Sequence, residues 1–209
     1  MKIDQYYICH YTKLSDRKSY IESHISKFNI NLNWIYEFDK EDIDFQSITN
    51  QYPIINTPNL FNRVLKQSEI SLILKHIKIF QDVIDKGYKN VVVFEDDIIL
   101  DDDFLSKLED YTNQLPNTYD ILWIGSCCDL HITNLISGTN IYRSNSSRCT
   151  HGYLISVEGC KKMLSIIHKI NLPIDWFFNY AITNLKLENY WAEPDIVRQN
   201  SNFESAIQL

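Results

Sequence analysis

The chain has 209 residues, 44% of them hydrophobic, with only 5 Gly and 5 Pro, which suits one large domain with a real core and excludes a disordered segment. Its formal net charge of -7 argues against a general nucleic-acid or anionic-membrane binder, since either would need a basic face. No apolar run approaches the roughly 20 residues of a membrane span, and no apolar h-region of a signal peptide follows Met1-Lys2-Ile3-Asp4.

In chain order, Gln5–Cys9 reads as a first strand and Asp16-Arg17 as the entry to a helix whose Ile21, Ile25 and Phe28 share a face. Residues 32–38 alternate into a second strand that ends at Asp39-Lys40-Glu41-Asp42. The stretch 43–65, with Pro53, Pro58 and several Asn, reads as a long loop with little regular structure, of the kind that serves as a lid or acceptor-side insertion. Ile70, Ile73, Leu74, Ile77, Phe80 and Ile84 mark an amphipathic helix closed by Gly87. Val91-Val92-Val93-Phe94 is short and wholly apolar, as in a fully buried strand, and runs directly into Glu95-Asp96-Asp97. A helix follows over 104–115, with Asp102 or Asp103 as its cap. Residues 120–125 form a further buried strand, 130–147 are polar and irregular, and Tyr153 to Ser156 make a short strand. A helix over 158–170 turns Met163, Leu164 and Ile167 inward. Leu172-Pro173-Ile174-Asp175-Trp176 opens a short helix, and Asn189–Ala192 is a last strand. Strands alternating with helices imply an α/β fold of Rossmann-like character, with a mixed, mostly parallel central sheet flanked by helices. The 5 cysteines are an odd number without framework spacing, which points to a reducing compartment and a soluble, cytoplasmic protein.

The three acids after the 91–94 strand are its most informative feature. Carboxylates this close repel one another and are costly to desolvate. A hard divalent cation at the carboxyl edge of the sheet, where open α/β folds bind their ligands, would compensate them. A solvated acidic turn is the competing reading. The second cluster, Asp101-Asp102-Asp103, is assigned to helix capping and the helix dipole.

Four segments in order resemble glycosyltransferase family 25, the lipopolysaccharide-biosynthesis and collagen galactosyltransferase type. Tyr7-Ile8-Cys9-His10-Tyr11 with Asp16-Arg17 is similar to the family's opening strand and "DR" helix start. Ser68-Glu69-Ile70 through His76 is similar to "GEIGC…SH", and Val93-Phe94-Glu95-Asp96-Asp97-Ile98 to "LVLEDDV". Thr150-His151-Gly152-Tyr153-Leu154-Ile155-Ser156, with Gly159, Leu164 and Pro173-Ile174-Asp175, resembles "TxAYLIS…GA…LL…PxD". The tail Gln199…Ser205-Ala206-Ile207 resembles the closing "Q…SSI". Departures fall on one helix: Ser68 stands for the usual Gly, Leu72 for Cys and Lys75 for Ser. The resemblance implies a GT-A-like single domain over 1–209, a nucleotide-sugar donor bound mainly by 1–115, and an acceptor-side part over 116–209. It further implies a divalent metal, usually manganese, and inversion at the anomeric carbon. The donor is expected to be a UDP-sugar carrying galactose or glucose, and the acceptor a glycan, lipopolysaccharide or collagen-like hydroxyl. A non-catalytic nucleotide-sugar or carbohydrate-binding module of the same fold is the alternative.

Such chemistry assigns roles residue by residue. In an extended segment Glu95 and Asp97 point to one side and Asp96 to the other. Asp97 is therefore the expected metal ligand, with Glu95 as a second contact to the metal or donor, while Asp96 bonds nearby backbone. Carboxylates and a diphosphate suit manganese or magnesium and argue against zinc. Asp39, Arg17 and His10 are read as donor-side residues, although Arg17 is equally suited to a surface salt bridge. Asp175 is the candidate base for the acceptor hydroxyl, with a plain helix N-cap as its competing role. Trp176, followed by Phe177-Phe178, fits a core helix face better than a platform for a sugar ring. His76 reads as a core or boundary histidine, and His151 as a candidate to approach the metal or diphosphate.

Overall fold

The structure is a computed structural model that describes residues 1–54, 58–128, 130–167, 169–204 and 206. Ser205 and Ile207 of the tail resemblance lie outside the described residues. A seven-stranded mixed sheet of order β2-β1-β3-β7-β5-β8-β6 organises the chain. Its members are β1 (Gln5–Cys9), β2 (Leu32–Ile35), β3 (Asn90–Glu95), β5 (Ile121–Trp123), β6 (Ile141–Arg143), β7 (Gly152–Ser156) and β8 (Asn189–Ala192). β1, β2, β3, β5 and β8 run one way, and β7 and β6 the other. A two-stranded ribbon, β4 (Ile98–Leu100) with β9 (Val197–Gln199), stands beside the sheet's carboxyl edge.

The alternation within β3 shows why the apolar run had to be central. Val91 and Val93 pack into one core with α3 (Gln67–Asp85), α5 (Val157–Ile166) and α6 (Ile174–Leu185). Val92 and Phe94 pack into the other with α1 (Ser15–Ser26) and α4 (Phe104–Gln114). All four side chains are fully buried, each worth about 1.5–3 kcal/mol of apolar transfer. α3 ends in Gly87 at φ +69°, a left-handed residue that terminates the helix without a Cβ penalty.

Several expectations change. The 43–65 stretch contains a helix, α2 (Phe45–Gln51), capped by Asp44, which accepts from the Gln46 and Ser47 amides. Its polar sequence carries no apolar period to reveal it. The second strand stops at Ile35, and β6 lies inside the stretch read as irregular. Asp103 occupies the N-cap position of α4 but makes no capping bond, and Asp102 instead pairs with Lys27. β9 has no signal in the sequence, because three residues are too few to show a period. Cys127 and Cys149 are disulfide-bonded, a pair that the odd, scattered count concealed. Among the described residues no helix is long and apolar enough to cross a membrane.

Candidate active site

The carboxyl ends of β1 and β3 and the start of β7 share one edge of the sheet, because β7 runs antiparallel to β3 with Gly152 opposite Phe94. That register places Thr150 and His151 beside the acidic turn, and the Glu95 amide donates to the His151 carbonyl at 3.2 Å. Gly152 is required here: a Cβ would come within 2.9 Å of both Val197 methyls on the strand packed above it. Over this edge opens a cavity of about 270 Å³, walled by the first turns of α3 and α6 and closed on one side by Gln199 and Ala206.

The three acids have different fates. Asp96 turns into the protein, where it receives the His10 imidazole at 2.6 Å, Arg17 Nη1 at 2.6 Å and the Tyr11 amide at 3.3 Å. Arg17 is further held by the Glu204 carbonyl. Glu95 accepts from the Thr150 hydroxyl. Burial pushes its carboxyl up, but His151 and Thr150 more than offset that and hold it below the usual range. Asp97 is 5% exposed and keeps only Gln199 Nε2 at 3.1 Å on one oxygen, with Arg17 Nη1 at 3.6 Å. Its other oxygen, Oδ1, is buried with no hydrogen-bond partner among the described residues. Burial and then the Glu95 charge raise the Asp97 pKa.

His151 completes the cluster. Its Nδ1 lies 3.6 Å from Glu95 Oε2, too far for a hydrogen bond, and both ring nitrogens are buried with no hydrogen-bond partner among the described residues. Burial alone would lower its pKa; the carboxylates of Glu95 and Asp97 raise it. One ligand atom from each of Glu95, Asp97 and His151 falls within 4.8 Å of the others. Unpaired buried donors and acceptors are costly, and two carboxylates with one imidazole are a donor set that a divalent cation satisfies. The residues therefore fit the metal that the sequence suggests.

Asp175 also lines the cavity. It is the second residue of α6 and not its cap, which is Pro173. Burial, followed by the charges of Glu95 and Glu69, raises its pKa. His10 and Arg17 line the cavity while tied to Asp96. Asp39 is not brought to the lining: one oxygen takes the Thr12 amide and hydroxyl and the other Lys75 Nζ at 2.8 Å. Its pKa is pulled down by these partners against the effect of burial. Lys75, Leu72 and Ser68, the positions where the sequence departs from the resemblance, all face the cavity. His76 is a core residue, bonded to the Tyr153 hydroxyl at 2.7 Å, with a pKa lowered by burial to about 4. Trp176 is exposed, against expectation, because α6 buries Phe177 and Phe178 instead. Sequence reasoning missed the roles of Thr150 and Gln199, visible only as members of the resembling segments.

Residues 3–178 match the sequence model of Glycosyltransferase family 25 (LPS biosynthesis protein). A Homo sapiens relative, procollagen galactosyltransferase 2, is 29% identical over 127 residues, 56% of this chain and 20% of its own length. A Rattus norvegicus relative named "Probable inactive glycosyltransferase 25 family member 3" is 29% identical over 122 residues, 55% of this chain and 21% of its own length. The chain thus matches about a fifth of the length of these curated relatives. Among solved structures, a glycosyltransferase involved in the glycosylation of the major capsid of PBCV-1 superposes with a TM-score of 0.54 at 8% identity, over 96% of this chain and 93% of that one. That likeness is one of fold.

Proposed function

The chain belongs to glycosyltransferase family 25, and from that premise we propose that it moves a hexose, galactose or glucose, from a UDP-sugar to a hydroxyl of a glycan or protein acceptor, with inversion at the anomeric carbon. Asp97, Glu95 and His151 would hold the divalent cation, and the imidazole among them favours manganese over magnesium. When bound, such a cation supplies Lewis-acid stabilisation of the charge that grows on the departing diphosphate. The observation that carries this reading is the buried Asp97 Oδ1, without a hydrogen-bond partner among the described residues, in a cluster where one ligand atom each from Glu95, Asp97 and His151 lies within 4.8 Å of the others.

The protein's own groups divide the remaining work. Asp175, its basicity strengthened by burial and by the facing acids, takes the proton from the acceptor hydroxyl as that oxygen attacks the anomeric carbon. The bond from carbon to the diphosphate oxygen breaks, releasing UDP and leaving the glycoside inverted. Asp96 anchors Arg17, so that a guanidinium stands beside Asp97 and near the charge of the diphosphate. The same buried ion pair fixes the acidic turn against β1 through His10.

A screen of UDP- and GDP-sugars for manganese-dependent nucleotide release tests this function, and UDP-galactose or UDP-glucose is expected to lead. Equal UDP affinity in manganese and in chelator would remove the metal and favour a binding module. That second reading has one observation in its favour: Ser68, Leu72 and Lys75 bring departures from the family pattern to the cavity wall. It predicts donor binding without release under any acceptor.

A further inference from the structure

We propose that the ridge formed by Trp176 and Tyr180, with Phe61 beside it, is the acceptor subsite, and that it takes a carbohydrate chain in preference to a peptide. This inference rests on the transferase reading above. α6 buries Phe177, Phe178, Ala181 and Ile182, so packing is already satisfied on its inner face. Trp176 and Tyr180 are nevertheless 43% and 49% exposed, and residues four apart lie on the same side of a helix. Large aromatics left in water together mark a surface that binds something.

Their placement says what part of the reaction they serve. Pro173, Ile174 and Asp175 line the catalytic cavity. Phe177 and Tyr180, the next turn of the same helix, line a second hollow of about 300 Å³ with Leu60, Leu172, Lys169 and Asn171. Trp176, between Asp175 of the first and Phe177 of the second along the helix, is exposed and forms the crest of the ridge. An acceptor whose reacting hydroxyl lies at Asp175 has a continuous course along the same helix, over Trp176 to the second hollow. The crest is preorganised: the Trp176 and Phe61 rings meet edge to face, with centroids 4.9 Å apart and planes at 75°.

The chemistry of the surface selects the occupant. Sugar rings offer apolar C–H faces to aromatic planes, and hydroxyls at their rims to groups such as the Asn171 amide and the Lys169 ammonium. The ridge lies on a helix and not on a strand edge, so it offers an extended peptide no row of amides and carbonyls to pair with. The second hollow is concave and mixes apolar walls with a few polar groups, the usual form of a small-molecule subsite.

The test uses the 209-residue chain with UDP and manganese on two immobilised panels, α- and β-linked hexose oligosaccharides and hydroxylysine-containing collagen-type peptides. Oligosaccharide binding is expected, weakened about 10-fold or more by Trp176→Ala and by Tyr180→Ala, the scale of one lost stacking contact. Trp176→Phe should restore most of it. Leu105→Ala, an equally exposed apolar side chain on α4, serves as the control and should bind as wild type. Binding to peptides alone, oligosaccharide binding indifferent to both alanine variants, or binding to neither panel would overturn the proposal. Calorimetry with UDP separates the two readings. Lost UDP binding with an intact oligosaccharide signal sinks the donor reading and leaves the ridge, whereas intact UDP binding with silent panels sinks the ridge.

Discussion

Two runs of three acids flank β4, and composition treats them alike. Glu95-Asp96-Asp97 lies at the end of a buried central strand, with Asp96 and Asp97 each 5% exposed. Asp101-Asp102-Asp103 lies on the surface, where Lys27, Lys107 and Arg198 pair with it. Every acid in the second run has a cation and water, and such exposed pairs contribute little to stability. In the first run Asp96 is neutralised from inside by Arg17 and hydrogen-bonded to His10, and Asp97 is left with a buried oxygen that no described residue satisfies. The lesson is that a ligand site is marked less by the number of acids than by what burial leaves unpaired.

The sharpest way to break this comparison is to neutralise one acid in each run. Asp97→Asn should abolish the manganese dependence of UDP binding and lower turnover by about 10³ or more, because Lewis-acid stabilisation is worth several kcal/mol. Asp102→Asn should change neither beyond about twofold, as is usual for a surface substitution. Calorimetry with UDP in manganese and in chelator, alongside steady-state nucleotide release, reads both. Equal losses in the two variants would mean that long-range charge, and not a ligand position, is what matters.

Asp175→Asn extends the contrast to an acid outside both runs. Its raised pKa comes from burial and from facing Glu95 and Glu69, so it should act as a base and not as a ligand. Turnover on the true acceptor should fall by about 10², the usual worth of a positioned base, with UDP affinity held within a few-fold. Because Asp175 is not the cap of α6, the substitution should leave the melting temperature near wild type. A stability loss without a kinetic defect would return it to a structural role.

The smallest effect is on stability without metal. The Asp97 pKa is raised above its ordinary value of 3.8, so the folded protein keeps this proton to a higher pH than the unfolded chain. Between the two values the folded state binds more protons, and stability falls as pH rises through that window and stays lower above it. Asp97→Asn carries no charge and escapes the fall. In chelator at neutral pH it should melt a few degrees above wild type, an order that manganese should reverse. Asp102, whose carboxyl Lys27 pulls down, shifts in the opposite sense, so Asp102→Asn should melt no higher than wild type. Scanning calorimetry across pH 4 to 8 would reveal a wild-type protein with no such fall, and with it a compensated Asp97.

Much of this is legible in the amino-acid sequence. The apolar run at 91–94 announces a central strand because both of its faces must be covered, and the 3.6-residue period from Ile70 to Ile84 announces α3. Asn189–Ala192 falls where its aromatic and apolar residues place a strand. The opposed directions of Glu95 and Asp96 follow from strand geometry alone, and the structure turns Asp96 inward accordingly. Local sequence thus sets the order of the elements and the edge at which acids gather. Which charges are spent follows from contacts that form on folding. Asp39 is taken by Lys75 from another element, and Trp176 is exposed because its two neighbours fill the core. His151 reaches Glu95 because β7 runs antiparallel to β3, and β9 covers Gly152 from the far end of the chain. Periodicity is a property of neighbours in sequence, whereas desolvation and unpaired polar atoms depend on partners that only folding brings together.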